Sequence, residues 1–308
     1  MRLPNPKLLL AACASLGLAC ATLPPPPVET GELFLWNVER PDGSGGVAHL
    51  LGSVHLSEQE LTFDPAVDQA LESSDTLVLE VDPDDMDPVA LARLSVEKGR
   101  FQDGRTLDQV LAPETWRALE KRVAELDLPL DGFRSMEPWL ALITLQMATL
   151  QLEGYDVDKG VETQLTNNAI EHHKPTQGLE TAAEQLDTFD RLPLEVQERQ
   201  LRDFLEHGGD DGGDVSVLLE AWRRGDDVRL ERELFGDLDR NHDPALASFY
   251  QVFYFDRNRR MARGIAERVD EGGSWFVAVG AGHVVGARGI PSLLAAQGYR
   301  VTRVPKTK

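Results

Sequence analysis

Apolar residues follow two rhythms along the chain, and the switch between them predicts the architecture. Residues 33–38, 47–52, 76–81, 275–280 and 299–304 are short runs rich in β-branched and aromatic side chains, and each reads as a strand. Residues 174–179 read as a sixth. Runs 76–81 and 275–280 are apolar nearly throughout, the pattern of strands covered on both faces. Between the first two runs stands Arg40-Pro-Asp-Gly-Ser-Gly-Gly46, whose turn residues predict a hairpin. From Pro83 to Gly273 the pattern becomes mostly helical. Pro113, Pro138, Pro193 and Pro244 stand where a first helical position tolerates proline, because its N–H would be unpaired there anyway. They open residues 114–126, the strongly apolar residues 139–152, and two further helices. Residues 284–297 also read as helical, and the glycine- and aspartate-rich residues 208–214 read as a loop and internal break. The expected fold class is α/β. One domain over residues 32–308 has its central sheet built from the N- and C-terminal segments, with a mostly helical excursion over about residues 83–273.

The amino terminus departs from this pattern. Arg2 and Lys7 precede twelve uncharged residues, 8–19, and the prolines Pro24 to Pro27 follow. That order is expected of a secretory signal over residues 1–21 with a proline-rich tether over 22–31, and the apolar run is too short to span a bilayer. Both cysteines, Cys13 and Cys20, fall inside the signal, so the mature chain has no disulfide framework. Cys20 ends the apolar run, where a bacterial lipoprotein carries its lipid, and Leu16-Gly-Leu-Ala-Cys20 is an imperfect lipobox. Cleavage after Ala19 or Ala21 is the competing reading. Either way the chain is expected to be exported, as a periplasmic protein or a membrane-anchored lipoprotein held by one lipid group.

Charge narrows the partners. The 308 residues hold 52 acidic and 31 basic side chains, a formal net charge of −21, which argues against nucleic acid and anionic headgroups. The sequence carries no Gly-x-Ser-x-Gly elbow, no phosphate loop, and no mature cysteine for thiol catalysis.

Chemistry gathers where the strands stop. Run 47–52 leads into Gly52-Ser-Val-His55, run 76–81 carries Glu80, run 174–179 leads into Glu180, and run 275–280 leads into Gly280-Ala-Gly-His283. In open α/β sheets the carboxyl edge of the strands is where ligands bind. Glycines at 280 and 282 suit a backbone that leaves the strand sharply or approaches a ligand closely. Glu80 lies in Leu77-Val-Leu-Glu-Val81, where a buried carboxylate needs a cation or strong donors; the alternative is a solvated edge position. Two imidazoles with one or two carboxylates suit zinc, manganese, cobalt or ferrous iron, and an open coordination position would acidify a water.

Taken together, Gly52-Ser-Val-His55, Leu77-Val-Leu-Glu80, Gly178-Leu-Glu-Thr181 with Glu184-Gln185-Leu186, Arg257-Asn258 and Gly280-Ala-Gly-His-Val-Val-Gly286 resemble the signature set of the TraB/GumN family, which includes the Tiki metalloproteases. The resemblance spans roughly residues 32–305. It implies a core similar to that of erythromycin esterases and of a haem-associated lipoprotein. It also implies a divalent metal (zinc, manganese or cobalt) on His55, His283, Glu80 and Glu180, with both histidines as ligands or with one as ligand and the other as base. Glu80 would serve as ligand or general base, and Glu180 as a ligand, as a group orienting one, or as a carboxylate near a helix start. Arg257 and Asn258 would hold a carboxylate or an oxyanion, or pack in the helix with Arg257 paired to Glu80 or Glu180.

The remaining histidines read otherwise. His172 and His173 suit a helix end at the surface, His207 and His242 solvated loops, and His49 a packed strand position. The acidic run 82–87 lacks the glycine and glutamate of an EF-hand and reads as a solvated turn. The leading expectation is a metal-dependent hydrolase of the cell envelope acting on a peptide or small ester. A non-catalytic module capturing a peptide or a haem-like ligand is the second, and esterase activity on a macrolide-like ester the third.

Overall fold

A computed structural model describes residues 28–85, 87–207, 212–241 and 244–307. The expected signal peptide, Cys13, Cys20, the proline run, residues 208–211 and His242 lie outside the described residues; of the loop expected over 208–214, residues 212–214 are helical.

All six apolar runs form strands: β1 Glu32–Glu39, β2 Val47–Ser53, β3 Thr76–Val81, β4 Thr176–Glu180, β5 Ser274–Gly280 and β6 Arg300–Pro305. They make a single sheet in the order β4-β3-β5-β2-β1-β6. β1 and β2 form the expected hairpin, and β6 adds antiparallel to β1. The pairs β2–β5, β3–β5 and β3–β4 are parallel. The strands flanking the centre therefore all end at one edge, which brings His55, Glu80, Glu180 and His283 to the same side.

Helices fill the connections. α1 Pro65–Ser73 joins β2 to β3. α2 Pro88–Lys98, α3 Leu107–Val110, α4 Pro113–Glu125, α5 Pro138–Leu152 and α6 Val161–Glu171 lie between β3 and β4. α7 Ala182–Asp190, α8 Leu194–His207, α9 Gly212–Arg224, α10 Asp227–Asn241, α11 Pro244–Tyr250 and α12 Asp256–Glu271 lie between β4 and β5, and α13 Ile290–Ala296 precedes β6. Proline opens α4, α5 and α11, as its fixed φ predicts. Thr181 and Glu184 close a reciprocal capping box on α7.

Both faces of the sheet are covered. Leu35, Leu51, Leu77, Leu79, Phe276 and Ala278 pack with α1 and α6 through Val67, Leu71, Val161 and Leu165. On the other face Leu50, Val78, Val277 and Val279 join a core that runs through α5, α8, α10 and α12. The helical excursion and the sheet thus share one core. Leu77, Val78, Phe276 and Val277 are each fully buried, and burial of such a side chain stabilises by about 1.5–3 kcal/mol.

The stretch 284–297 departs from its expected helix. Only Ile290–Ala296 is helical, because Gly286 adopts φ +76 and ends any regular turn before it. Val284 and Val285 are buried core residues of the intervening loop, and that burial gave them the look of a helix face. Glu80 is not at a sheet edge, since β3 lies between β4 and β5.

Candidate active site

Strand parity sends Leu77 and Leu79 to the α6 face and Val78 and Glu80 to the opposite one, beneath α12. α12 follows a π-helical turn, Gln251–Phe255, and its first residues place Arg257 and Asn258 against the sheet edge, 0% and 1% exposed. Arg257 is the hub. Its Nη2 donates to Glu80 Oε2 at 2.5 Å and to Glu180 Oε1, and its Nε donates to both Glu180 oxygens at 3.1 Å. Its Nη1 donates to the Phe253 carbonyl at 3.3 Å and faces His283 Nε2 at 3.1 Å. Gln185 of α7 donates from Nε2 to Glu80 Oε2 at 2.9 Å and to Glu180 Oε1 at 3.1 Å. The Gly280 amide donates to Glu80 Oε1 at 2.7 Å. Glu80 is thus not an isolated buried charge: the Arg257, Gln185 and Gly280 donors all reach it.

The two histidines differ in kind. His283 Nδ1 lies 2.5 Å from Asn258 Oδ1, while the Asn258 amide donates to the Arg288 carbonyl at 2.8 Å. That fixes the His283 proton on Nδ1 and leaves Nε2 as the acceptor facing Arg257. Burial and the adjacent Arg257 charge push His283 down to about 3, so it is neutral. His55 is the reverse case. Its Nδ1 lies 2.9 Å from Glu162 Oε1 at the start of α6, and Ser53 Oγ donates to the same oxygen. Burial opposes the charge, but the Glu162 and Glu80 carboxylates outweigh it and push His55 up to about 9. At neutral pH His55 is therefore an imidazolium. Burial works against the Glu80 charge too, yet Arg257, the protonated His55 and the Gly280 amide hold its carboxyl well below the usual range.

Gly280 governs how these groups approach. A Cβ on it would lie 2.9 Å from His55 Nε2 and 3.3 Å from Glu80 Oε1, so only glycine admits both. His55 Nε2 and Glu80 Oε1 thus face the same spot, and His283 Nε2 is 3.8 Å from Glu80 Oε1. A small cavity of about 40 Å³ opens beside them, lined by Ser53, His55, Leu234, Tyr254 and His283 among others. Tyr254 packs on the His283 ring at 5.3 Å.

All six sequence-derived site residues, His55, Glu80, Glu180, Arg257, Asn258 and His283, lie at this edge. Reading the sequence assigned no role to Glu162, Ser53, Tyr254 or Gln185; Ser53 and Gln185 carried a signal, within Gly52-Ser-Val-His55 and Glu184-Gln185-Leu186. His172 and His173 are exposed, and His49 is half-buried with Nδ1 2.7 Å from Asn37 Oδ1.

The donor types at the site suit a divalent ion; their arrangement does not. Glu180 and Glu80 are engaged by Arg257, which also faces the one open nitrogen of His283. Three carboxylates, Glu80, Glu162 and Glu180, already meet three cations: Arg257, protonated His55, and Arg260, whose Nη2 is 3.9 Å from Glu180. Among the described residues no group of three or more His, Asp or Glu is placed to hold a metal ion.

The chain is 24% identical over 251 residues to the uncharacterized protein YbaP of Shigella flexneri, covering 80% of this chain and 87% of that protein. It is 24% identical over 250 residues to YbaP of Escherichia coli (strain K12), with the same coverage. No solved structure matches. The TraB/PrgY/gumN family pattern matches residues 34–303, taking in every site residue named above, and the chain belongs to that family.

Proposed function

We propose that the chain is a hydrolase of a peptide or small ester bond, working at His55 and Glu80. One observation carries this reading: the His55 ring is held at Nδ1 by Glu162, and its Nε2 is turned to the Gly280 backbone and the Glu80 carboxylate. An imidazole fixed by a carboxylate at one nitrogen and facing a cavity with the other is poised for proton transfer. In the proposed reaction a water attacks the scissile carbonyl and gives a proton to Glu80 Oε1. The C–N or C–O bond breaks, and the leaving atom takes the proton of His55 Nε2. Proton return from Glu80 to His55 restores both groups. Arg257 and Gln185 fix Glu80, and Asn258 fixes the tautomer of His283.

A divalent metal belongs to this proposal only through the family resemblance. Loading His55, Glu80 and His283 would require Arg257 to release Glu80 and His283, so no step is routed through an ion. The same applies to the cellular setting: export, and lipidation at Cys20, are proposed from the signal-like leader, and mass analysis of the native N-terminus tests them. Among the described residues no helix is long and apolar enough to cross a membrane.

The test is a peptide- and ester-library screen of the full chain beside His55→Ala and Glu80→Gln, with elemental analysis of each preparation. Turnover lost at least 100-fold in both variants supports the reading. Turnover indifferent to both variants overturns it. An equivalent of zinc, manganese or cobalt in the wild type, reduced in His55→Ala, would place the ion in the mechanism. Ligand retention without any product would shift the assignment to a module that captures a peptide or haem-like molecule.

A further inference from the structure

Beside the candidate site lies a larger cavity of about 440 Å³, walled by Val228, Phe235, Leu238, Phe255, Val285 and Arg288 among others. That volume falls in the range of small-ligand pockets. Its wall continues into the site. Phe235 stands edge-on to Tyr254, with ring centroids 5.0 Å apart at 87°, and Tyr254 packs on His283. Its rim continues there as well: Val285 and Arg288 follow His283 on the same loop, and the Arg288 carbonyl takes the Asn258 amide.

The polar groups of this cavity are unusual for the chain. Against a formal net charge of −21, two exposed guanidinium groups, Arg232 and Arg288, border one space of mixed polar and apolar lining, and Arg232 Nε lies 3.8 Å from Glu233 Oε1. Arg288 Cζ stacks over the Phe255 ring, 3.5 Å from its centroid. Arg288 is exposed, and stacking on Phe255 restricts the planes that its guanidinium samples, which lowers the entropy lost on binding. Glu231 is the opposing charge at the cavity, and its carboxylate lies against Gly286, where a Cβ would come within 2.1 Å of Oε1. A planar guanidinium stacked on Phe255, beside the apolar wall of Phe235, Leu238 and Val285, matches a carboxylate attached to an apolar group.

We propose that this cavity is the subsite for the carboxylate-bearing apolar end of the substrate, such as the free C-terminal residue of a peptide. The proposal rests on the hydrolase reading for its purpose, but binding tests it without turnover. The probes are N-acetyl-Leu-Phe as free acid and as amide, titrated calorimetrically into the full chain, its Glu80→Gln variant and its Arg288→Ala variant. The acid should bind at least tenfold more tightly than the amide to wild type and to Glu80→Gln. Arg288→Ala should abolish that preference while keeping a cooperative thermal unfolding transition. Val228→Trp, at the exposed mouth of the cavity, should weaken both probes. Equal affinity for acid and amide, an acid preference that survives Arg288→Ala, or no binding of either probe would overturn the subsite. Acid-selective binding with no hydrolysis of any substrate would instead defeat the hydrolase reading and leave the subsite standing. Hydrolysis without acid selectivity would do the opposite.

Discussion

His55 meets Glu162 across the sheet edge, Nδ1 to Oε1 at 2.9 Å, and so ties the first Gly-x-x-His turn to the first turn of α6. Removing the carboxylate charge removes the main attraction that keeps the imidazole protonated. Glu162→Gln should therefore bring the His55 titration down from about 9 toward its ordinary 6.5. NMR titration of the His55 ring reads this directly, and an unshifted curve would exclude the pair as its cause. Under the proposed hydrolase reading, the alkaline limb of the rate profile should move by the same amount.

The same pair predicts how stability depends on pH. The folded His55 binds its proton more tightly than the unfolded chain does. Its contribution is complete below about pH 6.5 and is lost as pH rises through about 9. Wild type should lose up to roughly 3 kcal/mol across that window, from a shift of about 2.5 units. His55→Gln should be flatter there in denaturant titrations at several pH values. His283 acts with the opposite sign. Its folded form resists protonation down to about pH 3, so acidification below about pH 6.5 destabilises the fold, and His283→Gln should blunt that loss.

Arg257 is 0% exposed and bridges Glu80 to Glu180. Arg257→Met would leave both carboxylates buried without their main cation, at a cost of about 3–5 kcal/mol. The triple variant Arg257→Met, Glu80→Gln, Glu180→Gln should recover part of that loss, because no unpaired charge then remains. Urea midpoints of the three proteins decide it; a triple variant no more stable than the single would point to packing rather than charge.

At Gly280 a single methyl group is enough to separate function from folding. The Cβ of Gly280→Ala would press on His55 Nε2 at 2.9 Å, with nothing closer in its way. Since a side chain can turn aside more readily than backbone, the thermal midpoint should move by only a few degrees. Turnover should fall at least tenfold as the ring is displaced from Glu80. A fully active Gly280→Ala would show that the His55 position does not matter.

Much of this site was legible in the sequence because each strand end announces itself. Two strands give way to glycine and then histidine, two others carry a glutamate at or near their ends, and parallel pairing gathers those ends without further information. The pairing of Arg257 with Glu80 or Glu180 stood among the open alternatives; the structure joins it to both. Glu162 was not legible. A glutamate in the first turn of a helix is what the helix dipole favours in any case, so only the packing of α6 against the end of β2 distinguishes it. The metal expectation drew on residue types, and types do not reveal that a guanidinium already stands among them. The helix expected over 284–297 misread buried valines as periodicity and passed over Gly286.

The ends of the sheet carry a last consequence. β1 runs antiparallel to β2, so the chain enters the sheet at the edge where β2 delivers His55. β6 leaves it there too, with Lys306 N donating to the Gly31 carbonyl at 2.8 Å. Whatever precedes Val28 is thus attached on the rim of the candidate site rather than on the far side of the domain. A molecule moored by that segment would work facing its mooring, sampling molecules close to the supporting surface before those in the open fluid.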